Sequence, residues 1–346
     1  MNHRLPAEWE RQDGILLAWP HEKSDWAPLL PEVEKTYTEL VKAIARFERV
    51  LLVVPPEGTD TLRTRLGEAG VSEEKLMLVE LPTNDTWARD FGFITVFDKK
   101  GRKKLLDFGF NAWGLKFAAC EDNQVNRRLF SGRVFRKGIS LVTIGLILEG
   151  GGIESDGEGT ILTTTQCLLS PNRNPHLSKG EIERALKRYL GARRVLWLSH
   201  GYLAGDDTDS HIDTLARFVN PTTIVYVACD DPADEHYEEL RLMKEELASF
   251  RTMKGKPYRL VPLPLPKACY DEEGNRLPAT YANFLILNGA VIVPTYNDEE
   301  NDPKVLQTFQ ALFPEREVVA IPALSLIKQH GSIHCVTMQI PEGVLV

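Results

Sequence analysis

Gly205-Asp206-Asp207-Thr208-Asp209-Ser210-His211-Ile212-Asp213 crowds four carboxylates and one imidazole into nine residues, and Thr214-Leu215-Ala216-Arg217-Phe218-Val219 follows it. The change from polar to apolar and β-branched predicts a loop emptying into a strand. If residues 211–218 are extended, the two-residue period puts His211 and Asp213 on one face, about 6–7 Å apart along the strand. That pair can meet one small ligand together.

Asp and Ser favour turns by bonding their own backbone, so a solvated turn is one reading of this stretch. A calcium loop fits poorly, because an EF-hand needs a mid-loop Gly and a closing Glu at the twelfth position. Catalysis also fits: an imidazole can shuttle a proton near neutral pH while a carboxylate holds a cation. The stretch alone leaves the turn and the catalytic loop both standing.

The rest of the chain narrows the choice. Its 346 residues, 43% hydrophobic and 26% charged, have an ordinary globular balance and can bury a large core. No apolar run approaches the roughly 18–20 residues of a membrane helix, and acidic residues near the N-terminus precede any apolar signal region. A formal charge of −8 disfavours nucleic acid as partner and suits a cationic substrate. The cysteines, Cys120, Cys167, Cys229, Cys269 and Cys335, are odd in number, widely spaced and without a Cys-x-x-Cys pair, which disfavours a disulfide framework and a zinc ribbon. A reducing cytoplasm is the expected setting, and one cysteine is free to be a nucleophile.

Periodicity predicts strands at 13–20, 50–54 and 75–81 with helices at 28–47 and 58–69 between them. A hairpin over 91–97 and 103–109 turns at Asp98-Lys99-Lys100-Gly101. Strands 141–148 and 160–165 flank a glycine-rich piece, with helix 178–190 and strand 193–198 after it. Beyond the opening stretch come strands 215–219, 223–228 and 258–263 around a helix at 233–249, then a hairpin over 282–287 and 290–295 turning at Asn288-Gly289. Helix 302–312, strand 316–321 and a strand near 333–340 end the chain. Strand, strand, helix, strand thus recurs about five times without a letter-by-letter repeat. Pro262, Pro264 and Pro266 read as an internal crossing and not a boundary, so one domain over residues 1–346 is expected.

Three further segments carry chemistry. Asn84-Asp85-Thr86-Trp87-Ala88-Arg89-Asp90 is polar and aromatic, and reads either as a site or as a surface turn plugged by Trp87. Glu149-Gly150-Gly151-Gly152 follows an apolar strand, so the glycines free the backbone for close approach beside a carboxylate that wants a partner. His330-Gly331-Ser332-Ile333-His334-Cys335 is a glycine loop entering a β-branched run. There Cys335 is either a small buried hydrophobe or a nucleophile, and on a strand His334 would point away from it and serve poorly as its base.

Taken together, the four segments resemble the agmatine deiminases, within the guanidine-modifying superfamily that includes arginine and peptidylarginine deiminases. The resemblance runs from Pro6-Ala7-Glu8-Trp9-Glu10 through Trp19-Pro20 to Ile333-His334-Cys335. It implies a five-bladed α/β propeller with the site at its centre, which agrees with the count of strand-rich units. It implies Cys335 as nucleophile, His211 as general acid and base, and Glu149 as the partner orienting His211. Asp90 and Asp213 would grip the guanidinium and Trp87 would line the pocket. Many relatives carry a glycine run before Ile-His-Cys, where this chain has His330-Gly331-Ser332.

The implied chemistry is self-consistent. A guanidinium is planar, cationic and weakly electrophilic, so carboxylates must match its fork of donors. A bound cation would favour the thiolate, which is the attacking species. No metal or organic cofactor is expected, the partner is a small cationic guanidino compound, and the assembly question leaves a homodimer open. Agmatine is the preferred substrate because Asp207, with Asp206 behind it, suits a far ammonium better than a carboxylate. Peptidyl-arginine, free arginine and a non-catalytic guanidine- or metal-binding protein are the alternatives.

Overall fold

The structure, a computed structural model, describes residues 3–346. Strands Gln12–Ala18, Arg49–Val54 and Leu76–Glu80 pair in parallel. The apolar residues of the first two are continuous and buried, as expected of strands covered on both faces, while Leu76–Glu80 at the sheet edge is only half-buried. Helix Leu30–Ala45 connects the first two and buries Val33, Tyr37, Leu40, Val41 and Ile44, spaced three and four apart. Full burial of one such aliphatic side chain contributes about 1.5–3 kcal/mol.

The same plan recurs in five mixed sheets. In each, one strand pairs antiparallel with the next, and a helix then carries the chain to a third strand parallel to the second. Ile94–Asp98, Lys103–Gly109 and Ser140–Ile147 make one set, crossed by helix Val125–Ser131. Glu154–Ser155, Thr160–Thr164 and Arg194–Leu198 make the next, crossed by helix Lys179–Tyr189. Ala216–Asn220, Thr223–Ala228 and Arg259–Pro264 follow with helix Tyr237–Ser249. Leu285–Ile286, Ala290–Thr295 and Glu317–Pro322 follow with helix Asn301–Leu312. The fifth set joins the two ends of the chain, because Met338–Pro341 pairs antiparallel with Gln12–Ala18. Among the described residues the sheets stay separate and do not form one hydrogen-bonded barrel.

Local signals account for most boundaries. Ser178 and Glu181 form the capping box that starts helix Lys179–Tyr189. Pro262 and Pro264 lie on an edge strand, where a missing donor costs least. Strand His3–Arg4 and helix Val125–Ser131 were not foreseen in the periodicity.

Two expected strands are corrected. Ile212–Leu215 is one helical turn, and the strand begins only at Ala216. The Thr214 hydroxyl donates to the His211 carbonyl at 2.8 Å. Likewise residues 333–336 form a turn, and the last strand starts at Met338. There the Thr337 hydroxyl donates to the carbonyls of Ile333 and His334 at 2.9 and 3.1 Å. A threonine that bonds the backbone locally competes with a strand ladder. His211 and Asp213 therefore share a turn and not a strand face.

The consequence for function is positional. Short turns precede the first strand of every set: Ala88–Phe91, Gly150–Gly152, Ile212–Leu215, residues 281–283 and residues 333–336. Backbone bonds tie them together, from Arg89 N–H to the Cys335 carbonyl and from His334 N–H to the Asn283 carbonyl, both at 3.1 Å.

Candidate active site

The turns meet most closely at Gly151. A Cβ there would lie 2.7 Å from His211 Nδ1, 2.8 Å from Asp90 Oδ1 and 3.0 Å from Asp213 Oδ2. Real Cβ contacts essentially never fall below 3.0 Å, so only glycine lets these three groups converge. Asp90 Oδ1 accepts the Gly151 N–H and Oδ2 accepts the Trp113 indole N–H, each at 2.9 Å. His211 Nδ1 is 3.7 Å from Asp90 Oδ1. Asp213 Oδ2 is 2.7 Å from His334 Nδ1 and 4.0 Å from Cys335 Sγ. Asp213 Oδ1 and both His211 ring nitrogens are buried with no hydrogen-bond partner among the described residues. Cys335, His211, Asp90 and Asp213 thus lie around one point.

Asn283 fixes the nucleophile's backbone and was not singled out in the sequence. Its side-chain oxygen accepts the N–H groups of His334 and Cys335 at 2.8 and 3.2 Å, and its amide donates to the Asp213 carbonyl at 3.3 Å. It stands before the first strand of the fourth set, as Asp90, Gly151, Asp213 and Cys335 do in theirs. The fivefold recurrence was the signal that could have found it.

Glu149 is fully buried, and both its oxygens accept from Arg173 Nε at 2.9 and 3.0 Å. Glu149 was implied as the partner orienting His211, and among the described residues no hydrogen bond joins the two side chains. A charged guanidinium outcompetes an imidazole for a buried carboxylate. Glu149 still comes within 4.8 Å of a His211 ring nitrogen and of Cys167 Sγ. Those three groups have metal-ligand chemistry, but Arg173 already engages both Glu149 oxygens. A second trio, Glu8, Glu154 and His334, is engaged in the same way by Arg217.

Above the converging groups a cleft is walled by Trp87, Trp113 and Phe117 and lined by Asp25, Asp85, Asp90 and Asp207. Neither Arg nor Lys is among its described lining residues. Gly331 packs on the Trp87 ring so closely that a Cβ would lie 2.0 Å from it. Asp207 reaches this cleft, whereas Asp206 bonds the Thr208 and Ser210 N–H groups and caps its own loop. Asp206 thus serves its own loop and is not among the residues lining the cleft. His330 adopts φ 66°, a left-handed conformation that glycine favours, and its Nδ1–H donates to the Gly205 carbonyl at 2.7 Å. The sequence departure in this loop thus keeps a left-handed turn and ties it to the His211 loop.

Burial dominates the electrostatics. It pushes the Asp90 carboxyl up to about 7, with Glu149 adding to the effect, and pushes Asp213 well above the usual carboxylate range, with Asp90 adding. Burial, then Asp213 and Asp90, raise the Cys335 thiol well above its ordinary value. Burial, then Arg173 and Lys116, hold the His211 imidazole well below its own. Burial, then Asp206, push Asp207 up to about 6. Every one of these shifts opposes charge, and a bound cation would reverse those of the carboxyls and the thiol.

The family model for Porphyromonas-type peptidyl-arginine deiminase matches residues 4–341. The agmatine deiminase of Pseudomonas aeruginosa strain LESB58 is 35% identical, covering 98% of this chain and 95% of its own. A crystal structure provisionally named as a peptidyl-arginine deiminase superposes with a TM-score of 0.93 at 50% identity, covering 99% of each chain. An agmatine deiminase of C. jejuni, a cysteine-to-serine variant with substrate bound, superposes with a TM-score of 0.89 at 41% identity, covering 99% of this chain and 97% of that one.

Proposed function

This chain belongs to the Porphyromonas-type peptidyl-arginine deiminase family, and from that membership we propose that it hydrolyses agmatine to N-carbamoylputrescine and ammonia, a step of putrescine and polyamine synthesis. The observation that carries the choice of substrate is the cleft lining: four aspartates, three aromatic rings and neither Arg nor Lys among the described residues. Agmatine is a guanidinium and an ammonium joined by methylenes. Asp90 and Asp213 face the guanidinium, Trp87 packs on the methylenes and Asp207 meets the ammonium. A carboxylate on the substrate would meet like charge.

The guanidinium supplies the cation that the buried carboxyls and thiol lack. Cys335 passes its proton to His211, and the thiolate attacks the guanidinium carbon. The tetrahedral adduct collapses as His211 returns the proton to the departing amine, releasing ammonia and leaving an amidino-thioether on Cys335. His211 then takes a proton from water and hydroxide adds to the same carbon. As the carbon–sulfur bond breaks, the adduct loses its hydroxyl proton to solvent, where the released ammonia takes it up, and His211 returns its proton to the Cys335 sulfur, leaving the ureido product and the resting enzyme. Glu149 lies near enough to stabilise a positive His211, and Arg173 holds it there.

The five strand sets, each bringing one turn to this site, support a five-bladed α/β propeller forming one catalytic domain over residues 1–346. Among the described residues no helix is long and apolar enough to cross a membrane. Peptide-bound arginine is the second reading, favoured by the family's name and by the name of the 50% identical structure. An ammonia-release assay over agmatine, arginine and a peptidyl-arginine separates them. Agmatine should have the highest kcat/KM, and preference for the peptide would overturn the assignment.

A further inference from the structure

His334 meets a carboxylate at each end of its ring. Nδ1 lies 2.7 Å from Asp213 Oδ2, and Nε2 lies 2.7 Å from Glu8 Oε2. All three side chains are buried, and the next residue is Cys335. A neutral imidazole donates from one nitrogen and accepts at the other, whereas an ionised carboxylate only accepts. Two short contacts therefore need two hydrogens. Either His334 is an imidazolium donating both ways, or Asp213 is protonated and donates to Nδ1 while Nε2–H donates to Glu8.

The surrounding charges choose between these. Glu8 is fixed as an anion, since Oε2 also accepts from Arg217 Nη2 at 2.6 Å and Oε1 accepts the Ile286 N–H at 2.7 Å. Arg217 further bonds Glu154 at 2.6 Å, and Arg89 Nη2 lies 3.9 Å from Glu8. These two arginines oppose a positive charge on His334. On the other side burial and then Asp90 and Glu154 oppose a second anion at Asp213, and they outweigh Arg217 and Arg89, which favour it. With no cation bound, the proton therefore belongs on Asp213.

We propose that His334 is a positioning residue that lends Asp213 its charge: when a guanidinium reaches Asp213, the proton between Asp213 Oδ2 and His334 Nδ1 moves onto Nδ1. This rests on the guanidine-deiminating role above. An O–H bond breaks, an N–H bond forms, and no proton leaves the site. The result is a carboxylate on the substrate and an imidazolium held by Glu8. The clamp is close to neutral before binding and anionic during the grip. Asn283 holds the N–H groups of His334 and Cys335 throughout, so the transfer does not loosen the nucleophile. The directions of the shifts agree with this starting point: burial raises Asp213 and lowers His334. Burial acts against ionisation of Glu8 too, but Arg217 and His334 hold it below the usual carboxylate range.

Nitrogen NMR of histidine-labelled Cys335→Ser protein reads the transfer, with the His334 signals assigned through His334→Asn. Without agmatine, Nδ1 should give the signal of a bare ring nitrogen and Nε2 that of an N–H. Saturating agmatine should convert Nδ1 to an N–H and leave Nε2 protonated. An Nδ1 that is already protonated, or that agmatine does not move although calorimetry shows it bound, overturns the proposal alone. Failure of agmatine to bind overturns the functional reading with it. In the otherwise native enzyme, His334→Asn keeps a donor towards Asp213 but cannot take its proton. KM for agmatine should rise roughly thirtyfold and depend on pH more steeply than in the native enzyme. A variant that only loses thermal stability and kcat, with the pH dependence of KM unchanged, makes His334 structural and ends the proposal.

Discussion

Gly151→Ala adds one methyl group at the point where the site converges. Ordinary contact begins near 3.4 Å, so a Cβ placed 2.7 Å from His211 Nδ1 drives that nitrogen back by about 0.7 Å, and one at 2.8 Å drives Asp90 Oδ1 back by about 0.6 Å. Catalytic geometry is held within about 0.5 Å, and a misplacement near 1 Å costs on the order of 100-fold. The expected loss in kcat/KM for agmatine is therefore about 100-fold, or ~2.7 kcal/mol of transition-state stabilisation. Stability should fall by only about 1–3 kcal/mol, the usual effect of one added group in a packed interior. The backbone at Gly151 is not left-handed, so alanine adds no conformational strain there. Steady-state ammonia release and thermal unfolding measure the two effects separately. Gly145→Ala is the control, because a Cβ at Gly145 meets nothing within 4 Å. Activity of Gly151→Ala within about threefold of wild type would refute the convergence of His211, Asp90 and Asp213 as the source of catalysis.

Asp90→Asn and Asp213→Asn should each lower kcat/KM by the equivalent of about 2–5 kcal/mol, whereas exposed Glu245→Gln changes little. Near-normal activity in either aspartate variant takes that residue out of the clamp. Asp207→Asn should raise KM for agmatine more than it lowers kcat, because the ammonium keeps its charge through the reaction. An unchanged agmatine-to-arginine ratio of kcat/KM would rule Asp207 out. Asp90 must be ionised to grip a cation, and its carboxyl is pushed up to about 7. Agmatine must then displace a proton at lower pH, so KM should rise as pH falls below about 7 and level off above it. A KM that stays flat between pH 6 and 8 contradicts this.

The five strand sets were legible because each rests on local chemistry: apolar runs for the covered strands, Asn288-Gly289 at a hairpin, Ser178 and Glu181 at a helix start. The turns carrying Asp213 and Cys335 were misread as extended for one shared reason. Their β-branched threonines look like strand formers, yet Thr214 and Thr337 spend their hydroxyls on carbonyls three or four residues back. Cys335, His211, Glu149, Asp90 and Asp213 were legible as residue types at strand ends, whereas Asn283, Arg173 and Trp113 were not. The pairings were not legible either, since Arg173 reaches Glu149 from 24 residues away and Glu8 meets His334 across 326. No periodicity reports such contacts.

Acid-quenched turnover followed by mass spectrometry of the peptides tests the central claim most directly. With agmatine, the amidino adduct that remains after loss of ammonia should sit on Cys335, and Cys335→Ser should show neither adduct nor ammonia. Ammonia released by Cys335→Ser, or an adduct on Cys120, Cys167, Cys229 or Cys269, would contradict the account.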